Sequence, residues 1–166
     1  MRYHLLKAGQ EPGTYVIESS VVTENDILTM AKQLSRKRLS KGRPLESPSV
    51  VKEHLRALIH DYEHEVFGVL LLNTKHKIIG FHELFRGTID SAFVYPREVV
   101  KLALEYNAAA MIVTHNHPSG DPSPSKADIN LTARLKEALA LVDVRVLDHI
   151  IVGTDDCYSL VENGNM

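Results

Sequence analysis

The sequence holds one cysteine, Cys157, in 166 residues, so no intrachain disulfide can form and no Cys-x-x-Cys pair exists. That scarcity favours a reducing cytoplasmic setting and leaves any metal to histidine and carboxylate rather than thiolate. Long apolar runs are also missing. The longest, Val66 to Leu72, falls far short of the ~20 residues a membrane helix needs, and the opening MRYHLLKAGQ has no signal-peptide hydrophobic region. Neither internal repeats nor low-complexity tracts occur, and 44% hydrophobic content excludes collagen, coiled coil and wholesale disorder. A chain of this length buries roughly two thirds of its unfolded surface on folding, so no covalent staple is required.

An excess of one charge sign is lacking as well, with 19 Lys+Arg against 21 Asp+Glu. The distribution is uneven, however. Residues 1–48 carry 8 basic and 5 acidic side chains, and residues 49–166 carry 11 and 16. The larger part is therefore no generic nucleic-acid binder. Lys32, Arg36, Lys37, Arg38, Lys41 and Arg43 form a short basic stretch, which reads first as cations gathered at a helix C-terminus by the macrodipole and second as a phosphate contact.

Local patterns divide the chain into elements. Residues 14–22 read as a strand, and Thr23, with Asp26 three positions on, opens a helix carrying Ile27, Leu28, Ala31 and Leu34 at helical spacing. Turn formers in Leu39 to Pro48 mark a boundary between an N-terminal extension, 1–48, and a main domain, 49–166. A second amphipathic helix is expected over Ser49 to His64, then a buried hairpin from VFGVLLL and KIIGFHELF. Pro96 opens a helix whose core face is Val99, Val100, Leu102, Ala103 and Tyr106. A strand over 109–114, a loop from Asn116 to Pro124, a helix over 125–141 and strands to Leu160 complete the series. Strands alternating with helices in this way predict an α/β fold, a mixed β-sheet flanked by helices on both faces.

The chemistry concentrates in His115-x-His117-x7-Ser125-x2-Asp128. Two histidines one residue apart fall on the same side of a strand or its end, because side chains alternate with period two. Asp128 and Ser125 share one face at the start of a helix, and the turn-rich PSGDPSP between can fold that helix start back over the strand end. Two imidazoles and one carboxylate, with a fourth position left to water, suit an open zinc site of the catalytic type. Ser123-Pro124 offers the favoured cap for the helix, leaving the Ser125 hydroxyl free. A zinc hydrolase also needs a carboxylate to move protons, and Glu65, directly ahead of the buried run, is the candidate.

Taken together, Glu65-Val66-Phe67-Gly68 and the His115, His117, Ser125, Asp128 pattern resemble the JAMM signature of the JAB/MPN metalloprotease superfamily. The stretches VYPREVV, THNHPSGDPSPSKAD and LVDVRVLDHIIVG are similar to its bacterial RadC branch. The resemblance covers about Ser49 to Tyr158. It implies a cytidine deaminase-like fold and a Zn2+ ion held by His115, His117 and Asp128. It also implies Glu65 as general acid/base and Ser125 steadying a tetrahedral oxyanion. The implied activity is hydrolysis of a peptide or isopeptide bond in a protein or peptide substrate. RadC proteins usually carry a helix-hairpin-helix DNA-binding region ahead of this domain, whereas residues 1–48 hold only Gly9, Gly13 and Gly42 and no Gly-x-Gly hairpin. The branch's name refers to DNA repair, a label that a zinc hydrolase site does not itself imply.

Other readings compete. His60-Asp61-Tyr62-Glu63-His64 matches H-x-x-E-H, in which two helical histidines bind zinc. The deaminase pattern with P-C-x-x-C is absent. Asp121 is a second choice of carboxylate ligand, and His149 reads as a hydrogen-bonded group inside a strand rather than a ligand. At the level of the whole chain, a DNA-associated accessory module using Lys32 to Arg43, or a peptide-binding domain with an exposed sheet edge, stands beside the hydrolase.

Overall fold

The computed structural model describes residues 2–19, 21–87 and 93–166. Three short strands come first, β1 (Arg2–Tyr3), β2 (Leu6–Ala8) and β3 (Tyr15–Ile17), paired antiparallel in that order. The strand expected over 14–22 is thus only three residues long. Thr14 is spent on a turn, its hydroxyl donating to the Glu11 carbonyl at 2.7 Å, and the Ser19 hydroxyl folds back onto the Val21 carbonyl. Ser20 lies outside the described residues. Helix α1 (Glu24–Arg38) begins as expected: Thr23 and Asp26 satisfy each other's backbone N–H groups in a reciprocal box. Arg36, Lys37 and Arg38 fill its last turn. Lys32 pairs with Asp61 at 2.7 Å, while Arg38 and Arg36 lie 3.5 Å and 3.9 Å from Glu46 and Glu83.

Helix α2 (Pro48–Ile59) stops well before the expected His64. Beyond it, the Asn116 side-chain amide donates to the Tyr62 and His64 carbonyls, so the segment 61–65 is pulled out of helical geometry and delivered to the sheet. Strands β4 (Val66–Leu72) and β5 (Ile78–Arg86) form the anticipated antiparallel hairpin. Helix α3 (Pro96–Glu105), strand β6 (Ala110–Asn116), helix α4 (Lys126–Ala140) and strands β7 (Arg145–Val152) and β8 (Cys157–Ser159) follow.

The five strands lie in the order β5-β4-β6-β7-β8, with β6 and β7 parallel and the other neighbours antiparallel. Because side chains alternate, each central strand feeds two cores. Leu55, Leu58 and Ile59 of α2 pack with Leu70, Leu72, Ile112 and Ile150 on one face. Val99 and Ala103 of α3 and Leu135 and Leu139 of α4 pack with Phe67, Val69, Met111 and Val113 on the other. Each fully buried side chain of this size contributes about 1.5–3 kcal/mol, which explains why β4 is buried at every position. Tyr106, expected on the core face of α3, instead follows its last turn, is 39% exposed, and sets its ring 4.5 Å from that of His82.

The stretch 39–48 lies along the sheet. Leu39 is buried in the α2-side core, Gly42 N–H donates to the Ile78 carbonyl, and Ile78 N–H donates to Arg43, both at 2.8 Å. Among the described residues, no helix is long and apolar enough to cross a membrane.

Candidate metal centre

Strand β6 ends in His115 and Asn116, and its alternation sends the two side chains to opposite faces. His115 points to the side covered by α4. His117, one residue past the strand, returns to that side while its N–H still bonds the Val152 carbonyl at 2.9 Å. Asp128, in the first turn of α4, meets both rings. His115 Nε2 lies 3.3 Å from Asp128 Oδ1, His117 Nε2 lies 3.6 Å from Asp128 Oδ2, and the two Nε2 atoms are 3.0 Å apart. One ligand atom from each residue falls within 4.8 Å of the other two, and these three residues are the group of this kind among the described residues.

Ser125, and not Ser123, caps α4. Asp121 Oδ1 accepts the Ser123 N–H at 2.9 Å, which consumes Ser123 and Pro124 in a turn ahead of the helix. Ser125 Oγ then accepts the Asp128 N–H, and Asp128 Oδ2 accepts both the N–H and the hydroxyl of Ser125 at 2.7 Å. The hydroxyl expected to be free is therefore committed to the Asp128 carboxylate. Burial disfavours that carboxylate's charge. Hydrogen bonds to His115, His117 and Ser125 outweigh burial and hold Asp128 well below the usual carboxylate range. The Asp128 contact raises the His117 imidazole against the effect of burial, helped by the Asp121 carbonyl, which accepts from Nδ1 at 2.7 Å. Asp121 thus meets the site through its backbone, not its carboxylate.

Glu65 lies just ahead of β4, and its side chain borders the same cleft as His115, His117, Ser125 and Asp128, a space of about 490 Å³. Asn116 brackets it. Its Oδ1 accepts the Val66 N–H at 2.7 Å, and its Nδ2 donates to the His64 carbonyl at 3.1 Å, fixing the peptide groups on both sides of Glu65. Sequence reading missed Asn116. Its signal was a polar residue between two histidines, which alternation must send into the opposite core, where it is 1% exposed.

Beneath the cleft, His149 is fully buried. Its Nε2 lies 2.8 Å from His115 Nδ1, and its Nδ1 lies 2.6 Å from the Thr132 hydroxyl. Burial, reinforced by neighbouring His115, holds the His149 ring neutral by pushing its pKa well below the ordinary value. The loop between the ligands is clamped to the start of the β7–β8 turn: Gly120 N–H donates to His117, and Thr154 N–H donates to the Gly120 carbonyl at 3.0 Å. Gly120 sits at φ +90, and a Cβ on Gly153 would run into the Gly120 carbonyl and the Pro122 ring.

The H-x-x-E-H histidines do not converge. His60 ends α2 with its ring on the Arg56 carbonyl, whereas His64 stacks on Tyr62 and accepts from Arg86. With α2 ended at Ile59, the two rings no longer share a helical face.

The layout is that of a mixed-sheet domain with a His-His-Asp group at the mouth of its parallel strand pair. The RadC-like JAB domain family matches residues 45–165, and the chain belongs to that family. Among curated relatives, a UPF0758 protein of Vibrio cholerae serotype O1 is 55% identical over 141 residues, 85% of this chain and 89% of its own. UPF0758 proteins of Ectopseudomonas mendocina and Azotobacter vinelandii are 56% and 54% identical over 84% and 83% of this chain. In those two the match spans 62% of the relative's length.

Proposed function

We propose that this chain is a zinc-dependent hydrolase of peptide or isopeptide bonds. The observation that carries the reading is the meeting of His115 Nε2, His117 Nε2 and an Asp128 oxygen within 4.8 Å, on a cleft that Glu65 also borders. The donor set fits: two imidazole nitrogens and one carboxylate oxygen suit zinc, whereas magnesium and calcium favour all-oxygen shells. Three protein ligands leave a position for water or substrate, as catalytic sites require. When bound, the ion would supply Lewis acidity, bringing the pKa of a water towards ~7 and polarising a scissile carbonyl.

The chain's own residues do the rest. Asp128 offers a charged oxygen held in place by Ser125, and the Asp121 carbonyl holds His117 with Nε2 directed to the site. Glu65 takes a proton from the attacking water and passes it to the departing amine. Ser125 orients Asp128 in the resting arrangement, and its hydroxyl would have to leave that carboxylate before it could donate to an oxyanion. Phe93, Val94 and Leu131 give the cleft an apolar wall for a substrate side chain. The single thiol fits work in a reducing compartment.

The test is metal analysis of the purified protein beside its His117→Ala and Glu65→Gln variants, followed by incubation with a peptide library read by mass spectrometry. We expect about one zinc per chain in the wild type and Glu65→Gln, and little in His117→Ala. Cleavage should fall by about 10²–10⁴-fold in Glu65→Gln. Equal zinc content in the wild type and His117→Ala would overturn the metal assignment. Unchanged cleavage by Glu65→Gln would remove Glu65 from its role.

A further inference from the structure

We infer that His149 and Thr132 form a directed hydrogen-bond relay that presents His115 to the metal in the one tautomer able to bind it. The inference rests on the metal site proposed above. The relay has a fixed anchor: the Thr132 hydroxyl lies 2.7 Å from the Asp128 carbonyl, and a carbonyl oxygen can only accept. The single hydroxyl hydrogen is thereby spent, so the 2.6 Å contact between Thr132 Oγ1 and His149 Nδ1 is made by a hydrogen on the ring. A neutral imidazole carries one N–H, which leaves His149 Nε2 as an acceptor. The 2.8 Å contact to His115 Nδ1 then requires the hydrogen on His115 Nδ1, which leaves Nε2, on the side of His117 and Asp128, as the nitrogen that can bind a metal.

No change of charge is involved; only the placement of hydrogens is set. The relay runs from one ligand, His115, to the backbone of another, Asp128, so it ties the end of β6 to the first turn of α4 through β7. His149 and Thr132 are 0% and 1% exposed, which keeps water from substituting for either partner. At His117 a different acceptor, the Asp121 carbonyl, likewise holds the hydrogen on Nδ1. Partners of this kind outside the ligand set orient metal-binding imidazoles, and their loss costs about 10–100-fold in affinity.

His149 and Thr132 are positioning residues, and their test reads metal and protons rather than turnover. Nitrogen-15 spectra of the imidazoles in the metal-free protein should show His115 and His149 both protonated on Nδ1. Competition against a chelator with zinc alone should show His149→Leu and Thr132→Val weaker by about 10–100-fold. His149→Gln, which retains an acceptor for His115, should lose less than about tenfold. Should the leucine variant fail to fold, Thr132→Val, which exchanges a hydroxyl for a methyl group, carries the comparison alone. His115 without a proton on Nδ1 in the metal-free wild type, or wild-type zinc affinity in Thr132→Val, would overturn the relay. Absence of zinc binding by the wild type itself would instead defeat the hydrolase reading, because the proton positions are measured without metal.

Discussion

Ser125 illustrates how a hydroxyl that local rules leave free can be claimed by a neighbouring carboxylate. Ser123-Pro124 and Ser125-x2-Asp128 both satisfy local rules for a helix start, and the choice is made by Asp121, which takes the Ser123 N–H. Ser125→Ala should therefore act on two measurements at once. Loss of the cap should cost the metal-free protein about 1 kcal/mol in urea unfolding. Release of the Asp128 carboxylate should weaken zinc by about tenfold in chelator competition. At this scale the sequence displayed the three candidate ligands openly, because their spacing follows strand and helix periodicity, whereas Glu65 stood out only as an acid ahead of a buried run and through the family resemblance. Thr132 and Asn116 stayed hidden. Thr132 matters only because Val113 and His149 are paired across parallel strands, with a register shift between Met111 and Ile112 that no local pattern predicts.

At the scale of elements, most helices and strands were legible from their apolar spacing, and the failures lie where distant groups capture the backbone. Helix α2 stops early because Asn116, from β6, claims carbonyls beyond its end. Helix α1 begins where its box predicts, and that box has a consequence for acid stability. His4 and Thr23 hydrogen-bond the Asp26 carboxylate and lower its pKa from 3.8 to about 2. A depressed carboxylate stabilises the fold above its unfolded value, and the stabilisation fades as pH falls through the folded value. The stability difference between the wild type and Asp26→Asn should accordingly be constant above about pH 5 and close progressively between about pH 5 and 1, measured by urea unfolding with circular dichroism.

For the whole molecule, two cores back to back on one sheet give a frame in which the ligands are carried by elements with separate support. His115 comes from the sheet centre and Asp128 from a helix on one face. A metal that binds only the folded form stabilises it by mass action, about 2.7 kcal/mol when present at 100 times its dissociation constant. For a chain of this size that corresponds to a rise in Tm of about 5–10 °C. Zinc should produce that rise in the wild type, a chelator should reverse it, and His117→Ala should show neither.

The bare backbones of Gly120 and Gly153 press together where the loop between the ligands meets the turn after β7. A single methyl group at residue 153 would act as a wedge, lifting the second imidazole away from the first while leaving every ligand in the sequence intact. The tolerance of the centre for mutation is thus decided partly at a position that touches no ligand and offers no chemistry of its own. Any effort to graft the His-x-His strand and its aspartate onto another scaffold must carry that hairpin corner along.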